Sequence, residues 1–371
     1  MFGLSSLSGK CLDDFLSKEP YSKLRKVARY NIFDLLRALN WAAAKEIMEA
    51  FYELGLDKTL KRPRSTMEVC YEHYIVDTLL LREILDSLVY MGILDEAAGR
   101  YKIRYFKRKI KKPAVVDEFM KTPLRAVFEV IRLMGESIVD VLLTGNRELD
   151  WVKDAAIAFE PFEFSPQMAS IRLKACDMFY RYIREVMSVE RKEKLYLLMT
   201  GLGSGFGVVN VAQFFTRLGV QIIALDPSER EIRLAEGLLE DFGLEIPIGQ
   251  YDILRDFSKS SLVMDTLPSD ARFDGCIAYE RWRFYDRIGR AQILTNIAYS
   301  LNVSGSLLDL SLPKEQILLL NTVLYTIRGW RGHMSVEEKR NFMCMSFQRV
   351  KEYTKKIITR ADLPLVRGIW L

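Results

Sequence analysis

The chain has 371 residues, 49% of them apolar and 28% charged, with a formal net charge of +5. That balance excludes a disordered or fibrous protein, and the length is too great for one ordinary core, so more than one domain is expected. The charge excess falls short of a dedicated nucleic-acid binder. Five cysteines (Cys11, Cys70, Cys176, Cys276 and Cys344) are scattered with no C-x-x-C pair, which points to neither a disulfide framework nor a zinc site; no metal is expected, and a reducing cytoplasm is. No signal-peptide pattern or membrane span is read, so a soluble chain is expected.

In chain order, AKEIMEAFYELGLDKTL from Ala44 places Ile47, Met48, Phe51 and Leu54 on one helical face, with Gly55 as a stop. Ser65 stands three residues before Glu68, a capping-box spacing. Asp77 can cap the next helix, whose apolar stripe is Leu81, Ile84, Leu85 and Leu88 and which Gly92 ends. ILDEAAGRYKI then reads as a β-hairpin turning near Ala98 and Gly99. Three helices and a hairpin form a winged-helix pattern, a module that reads DNA or serves for dimerisation. The wing continues into a run with Lys102, Arg104, Lys107, Arg108, Lys109, Lys111 and Lys112 and no acid, read as a solvated wing and linker or as a polyanion contact.

Residues 113–190 stay helical and amphipathic, with FEVIRLMGESIVDVLL and MASIRLKACDMFYRYIREVM as the clearest segments. Then the texture changes. The apolar runs LYLLMT, VQIIAL, FDGCIAY and GSLLDLSL alternate with helical segments, the pattern of a parallel sheet built from βαβ units.

Between the first two of these runs lies TGLGSGFG, from Thr200. A tight turn after a first strand needs glycine, because the backbone takes unusual dihedral angles and a ligand must approach without meeting a Cβ. In Gly201-x-Gly203-x-Gly205 the third glycine falls one position early for a dinucleotide fingerprint, and Phe206 fills the slot that fingerprint reserves for glycine. NAD is therefore disfavoured. Asp226 stands 25 residues after Gly201, at the end of the second run, and is followed by Pro227. A carboxylate there can accept both hydroxyls of an unphosphorylated ribose.

The strand, G-x-G-x-G turn, helix, strand and terminal Asp resemble the first motif of class I S-adenosylmethionine-dependent methyltransferases. The match is to the small-molecule O-methyltransferase branch, which carries an N-terminal winged-helix dimerisation domain. RFDGCIAYERW and AQILTNIAYSLNVSGSLLDLSL are similar to that branch's fourth and fifth strand region. The resemblance covers most of residues 30–371. It implies an α/β fold with a Rossmann-like domain on a mostly parallel, seven-stranded sheet, S-adenosyl-L-methionine as cofactor, and a homodimer. The implied division is 1–112 winged-helix domain with an N-terminal extension, 113–190 helical layer, and 191–371 cofactor-binding catalytic domain.

Three departures from that pattern shape the chemistry. Met199 stands where the family has an acid, the strand-five turn keeps only Gly305 between Ser304 and Ser306, and the family's usual catalytic histidine is replaced by the stretch ERWRFYDR. The only histidines are His73 and His333. The expected cofactor-binding residues are Gly201, Gly203, Gly205, Asp226 and Pro227, with Asp252 or Asp265 beside the adenine. YERWRFYDR should lie at the carboxyl edge of the sheet, where open α/β folds bind ligands. Methyl transfer needs alignment and, for a protonated nucleophile, a base. Glu280, Tyr279 and Arg283 are the catalytic candidates, Asp286 a further base, and His333 a remote one. Without the histidine, a carbon acceptor or an already ionised hydroxyl is favoured. Met178, Tyr182 and Trp282 are the expected acceptor contacts, against the alternative that they are plain core.

The reading is thus a methyltransferase acting on a small, largely apolar ring compound of phenol, quinone or tetrapyrrole type. The alternatives are a nucleic-acid methyltransferase using the 102–112 run, and a non-catalytic winged-helix regulator that senses a ligand.

Overall fold

The structure is a computed structural model that describes residues 10–11, 21–105, 110–186, 194–203, 205–269, 271–279 and 282–345. The chain folds as two compact units. One holds residues 30–161 and 314–332; the other holds 1–29, 162–313 and 333–371. These divisions fall at other points than the cuts at 112 and 190 read from sequence.

The first unit opens with α1, Ile32–Glu53, which begins well before the amphipathic stripe read from Ala44. Its start is set by Asn31, whose side chain accepts from the Asp34 N–H while Asp34 bonds back to the Asn31 N–H. That reciprocal cap satisfies two donors the first turn would leave orphaned. Residues 35 to 51 then bury Leu35, Leu39, Ala43, Ile47 and Phe51 on one side. Gly55, at φ +69°, supplies the left-handed stop. Helix α2, Thr66–His73, starts on the expected Ser65–Glu68 capping box, and α3, Thr78–Tyr90, on Asp77, which accepts from the Leu80 N–H. Strand β1, Arg64–Ser65, pairs with β3, Arg100–Ile103, which also pairs with β2, Leu94–Ala97, all antiparallel. The hairpin turns on Ala98 and Gly99, both at positive φ (52° and 74°), as a two-residue turn matched to the strand twist requires. Helix α4, Arg125–Glu136, ends at Ser137, where a separate helix, Ile138–Thr144, begins, so the segment read as one helix is two.

The second unit is α/β. Helix α5, Pro166–Val186, precedes five parallel strands: β4 Tyr196–Thr200, β5 Gln221–Asp226, β6 Ile248–Gln250, β7 Phe273–Ala278 and β8 Leu301–Asp309. Their spatial order is β6-β5-β4-β7-β8, so the order reverses at β4, and ligands of open α/β sheets bind at the carboxyl ends beside such a switch. Seven strands were expected; five lie among the described residues. Helices α6 Phe206–Thr216, α7 Glu229–Asp241, α8 Ser261–Thr266, α9 Arg287–Ser300 and α10 Val336–Met343 also belong to this unit.

The strands read as near-continuous apolar runs because both faces are covered. On one face a cluster joins Leu198, Ile223, Leu225, Phe273, Cys276 and Leu307 to Ile293, Ile297 and Phe342. Against Gly275, in the middle of β7, lie Phe179, Ile183 and Leu197, so α5 packs where β7 has no side chain. Among the described residues no helix is long and apolar enough to cross a membrane.

Candidate functional site

The glycine loop leaves β4 with Gly201, Gly203 and Gly205 at φ of +83°, +57° and +89°, a run of left-handed angles that only glycine adopts without strain. Gly205 has a second constraint. A Cβ there would fall 2.9 Å from the Ala235 Cα and 2.8 Å from Leu238, so the loop is pressed against α7.

Asp226, the last residue of β5, is fully buried. One carboxylate oxygen accepts the Leu202 N–H at 2.8 Å and the other the Ser228 N–H at 2.8 Å. The acid is therefore fastened to the glycine loop on one side and to the start of α7 on the other. Each oxygen keeps further accepting capacity, since a carboxylate offers about four lone-pair sites. Pro227 follows half-buried, its carbonyl accepting from Gln250 at 3.1 Å. Ser228 caps α7 by accepting the Glu231 N–H.

The two adenine candidates separate by topology. Asp252 lies two residues past the carboxyl end of β6, where Gln250 is in register with Asp226. It is exposed and pairs with Arg255 at 3.3 Å. Asp265 sits on the exposed side of α8, whose Val263 and the following Leu267 share a groove with Phe273 and Ser300, at the amino ends of β7 and β8. The structure brings Asp252, and not Asp265, to the edge that carries the glycine loop.

Tyr279, one residue past β7, continues the ladder by donating its N–H to the Thr200 carbonyl at 2.9 Å. Its ring lies against the loop: a Cβ on Gly203 would come to 3.3 Å of it and one on Gly207 to 2.7 Å. The phenol meets Glu163 and receives Arg172 Nη1 at 2.8 Å. Arg172 in turn pairs with Glu163 at 2.7 Å and donates Nε to Asn210 Oδ1 at 2.9 Å, with only 2% of its surface exposed. Burial opposes the charge on this guanidinium, yet Tyr279 and Glu163 outweigh burial and hold its proton more tightly than usual. Sequence reasoning did not find this group. Glu163 and Arg172 are nine residues apart, no helical spacing, and Tyr279 is more than a hundred residues further on, so no local pattern marks it.

The remaining candidates are placed as follows. Glu280 lies outside the described residues. Arg283 is buried, its guanidinium 5.2 Å from the Phe284 ring centre. Asp286 caps α9 by accepting the Gly289 N–H. Trp282 is core: it donates its indole N–H to Asp309 at 3.0 Å and packs edge-on against Phe342. Met178 and Tyr182 lie six and ten residues beyond Arg172 on α5, up to roughly 15 Å of helix rise from the end that reaches Tyr279. The α5 side chains that pack at mid-β7, Phe179 and Ile183, flank them, so both sit toward the amino ends of the strands.

A second buried polar group closes the end of β8. Asp309 accepts from Trp282 and Ser311 and forms an ion pair at 3.0 Å with Lys339 of α10, which is 1% exposed. Beside it His333 bonds through Nδ1 to the Leu312 carbonyl at 2.9 Å. Burial, then the charges of Arg283 and Lys339, hold its pKa well below the usual histidine value, so the ring is neutral and Nδ1 carries the donated proton. As pH falls through about 6.5 the unfolded chain takes up this proton first, so the folded state loses stability below that pH. Thermal unfolding followed between pH 7.5 and 5.5 should show that fall, and His333→Asn, which keeps a donor for Leu312, should flatten it.

No family model matches the sequence, and no curated protein does. Solved structures do resemble the fold. The CurJ carbon methyltransferase aligns over 92% of this chain and 90% of its own at 12% identity, with a TM-score of 0.62. The citrinin polyketide synthase CMeT domain aligns over 92% and 89% at 15% identity and 0.58. An O-methyltransferase family 2 protein from Planctomyces limnophilus, solved in complex with apigenin, aligns over 86% and 90% at 17% identity and 0.54. With five parallel strands among its described residues in the order 3-2-1-4-5 and a glycine turn after the central one, the chain shares the Rossmann-like fold of these methyltransferases.

Proposed function

We propose that the protein is an S-adenosylmethionine-dependent methyltransferase that methylates a small, largely apolar ring compound. The observation that carries the reading is the bond from the Leu202 N–H to Asp226, which fixes a ribose-accepting carboxylate beside a turn of three positive-φ glycines. The residues fit the cofactor: Asp226 would hold the ribose hydroxyls, Asp252 the adenine edge, and the loop from Gly201 to Gly205 the chain between ribose and amino acid. When bound, the cofactor supplies an electrophilic methyl on a sulfonium, and the protein's part is to align the acceptor with it. Isothermal calorimetry with S-adenosylhomocysteine should show binding; no heat and no thermal shift at about millimolar ligand would remove the proposal.

A carbon acceptor, or a hydroxyl that is already ionised, suits the histidines. His333 is buried and neutral, and His73 bonds to Thr59 at 2.7 Å. Two similar structures are named carbon methyltransferase or CMeT domain, which is in keeping with this choice. The basic run gives less support to a nucleic-acid substrate: Arg104 faces Asp95 at 3.6 Å and Lys112 is paired with Asp117, while residues 107–109 lie outside the described ones.

The residue 30–161 unit is read as a winged-helix dimerisation module. Helices α1 to α3 and the β2–β3 hairpin have that order, and Met67, Tyr71, Tyr74, Leu79 and Tyr90 leave apolar surface exposed beside a groove of about 820 Å³. Unpartnered apolar surface of this kind marks an association face. Sedimentation should give twice the 43.0 kDa chain mass; a single monomer species at about 10 μM would dismiss this part.

A further inference from the structure

We infer that Glu163 and Arg172 are positioning residues that hold the Tyr279 ring against the glycine loop as the fixed wall for the methionyl end of the cofactor. This rests on the cofactor proposed above.

Gly207 raises the question first. It lies in the first turn of α6 and not at positive φ, so the backbone there does not call for glycine. A glycine that gains nothing from backbone freedom is there for space, and the space is filled by Tyr279: the ring atoms stand 2.7 to 2.8 Å from where a Cβ would be. The same ring borders Gly203. Loop and ring are thus fitted to one another, on top of the backbone bond from Tyr279 to Thr200.

The hydroxyl of that ring is held far more firmly than packing needs. Arg172 spans three elements, bonding Glu163 before α5, Asn210 on α6 and Tyr279 after β7. Burying an ion pair is a poor route to stability, because desolvation offsets most of the attraction and an apolar group of like volume does as well or better. A phenylalanine would fill the space over the loop. What the pair adds is direction: the phenol has a fixed acceptor and a fixed donor, so the ring cannot swing out of the loop.

Sheet order says which part of the cofactor meets this wall. The loop leaves β4, with β5 and Asp226 on one flank and β7 and Tyr279 on the other. A nucleoside whose ribose were held at Asp226 would carry its amino-acid end across the loop toward Tyr279.

The test compares S-adenosylhomocysteine with methylthioadenosine, which keeps adenosine and thioether but lacks the amino-acid tail, by calorimetry on the full chain. Tyr279→Ala and Glu163→Ala should each weaken S-adenosylhomocysteine about tenfold or more and methylthioadenosine by less than about twofold. Glu163→Gln, which still accepts from the phenol, should restore most of the loss. Tyr279→Phe leaves the ion pair intact and carries the same comparison should Glu163→Ala fail to fold. Gly207→Ala should weaken S-adenosylhomocysteine in the native background and cost nothing further in Tyr279→Ala, the coupling expected of groups in contact. Equal losses for both ligands, or a Gly207→Ala effect independent of the ring, would overturn the inference. A native protein that binds neither ligand would overturn the cofactor assignment instead.

Discussion

Asp226→Ala will bind S-adenosylhomocysteine at least a hundredfold more weakly than the native chain. Two hydroxyls bonding to a carboxylate contribute about 1.5–3 kcal/mol each, which together is a factor of roughly 10² to 10⁴ in affinity. The same substitution strips the buried Leu202 N–H and the Ser228 N–H of their acceptor, so the loop loses its fastening as well as its ligand contact. An unsatisfied buried donor costs about 1–3 kcal/mol, and a lower melting temperature should accompany the lost binding. Calorimetry paired with circular dichroism separates the two effects. A folded Asp226→Ala protein whose affinity stays within about threefold of native would show that the acid is only a structural clasp.

Arg172→Met will have the largest effect on folding. It leaves Glu163 as a buried charge without its cation, and removes the donor that serves Tyr279 and Asn210. Removing one member of a buried pair costs about 3–5 kcal/mol, which in a domain of this size lowers the melting temperature by about 10 °C. The double variant Arg172→Met, Glu163→Met should recover most of that loss, because two apolar groups replace two charges. A single variant that melts within about 2 °C of native would mean that the pair is hydrated and that its burial has been misjudged.

Much of this architecture can be read along the chain. The caps at Ser65 and Asp77, the turn at Ala98 and Gly99, and the strand runs around LYLLMT and FDGCIAY depend on neighbours within a few residues, where spacing alone carries the physics. The glycine loop and Asp226 are legible for the same reason, since a βαβ unit keeps its turn and its second strand end at a short, fixed separation. What lay beyond reach was anything that depends on which elements meet. Asp252 and Asp265 look alike in sequence and differ only by the end of the sheet they occupy. For Trp282 the sequence leaves pocket wall and plain core open, and only the fold brings Asp309, 27 residues on, to accept its N–H. Met178 and Tyr182 share a helix with Arg172, but only the packing of Phe179 and Ile183 on Gly275 shows which end of that helix approaches the loop. Helix α1 starts ahead of the stripe read from Ala44 because its cap, Asn31, stands thirteen residues before that alanine.

The charge of Asp309 is balanced by Lys339, and between them the chain leaves this unit to contribute residues 314–332 to the other. During synthesis β8 therefore emerges from the ribosome with an uncompensated carboxylate at its end. It stays so until thirty further residues have been made and α10 has come back to meet it. A chain cut short anywhere before residue 339 leaves the Asp309 carboxylate without the cation that balances it.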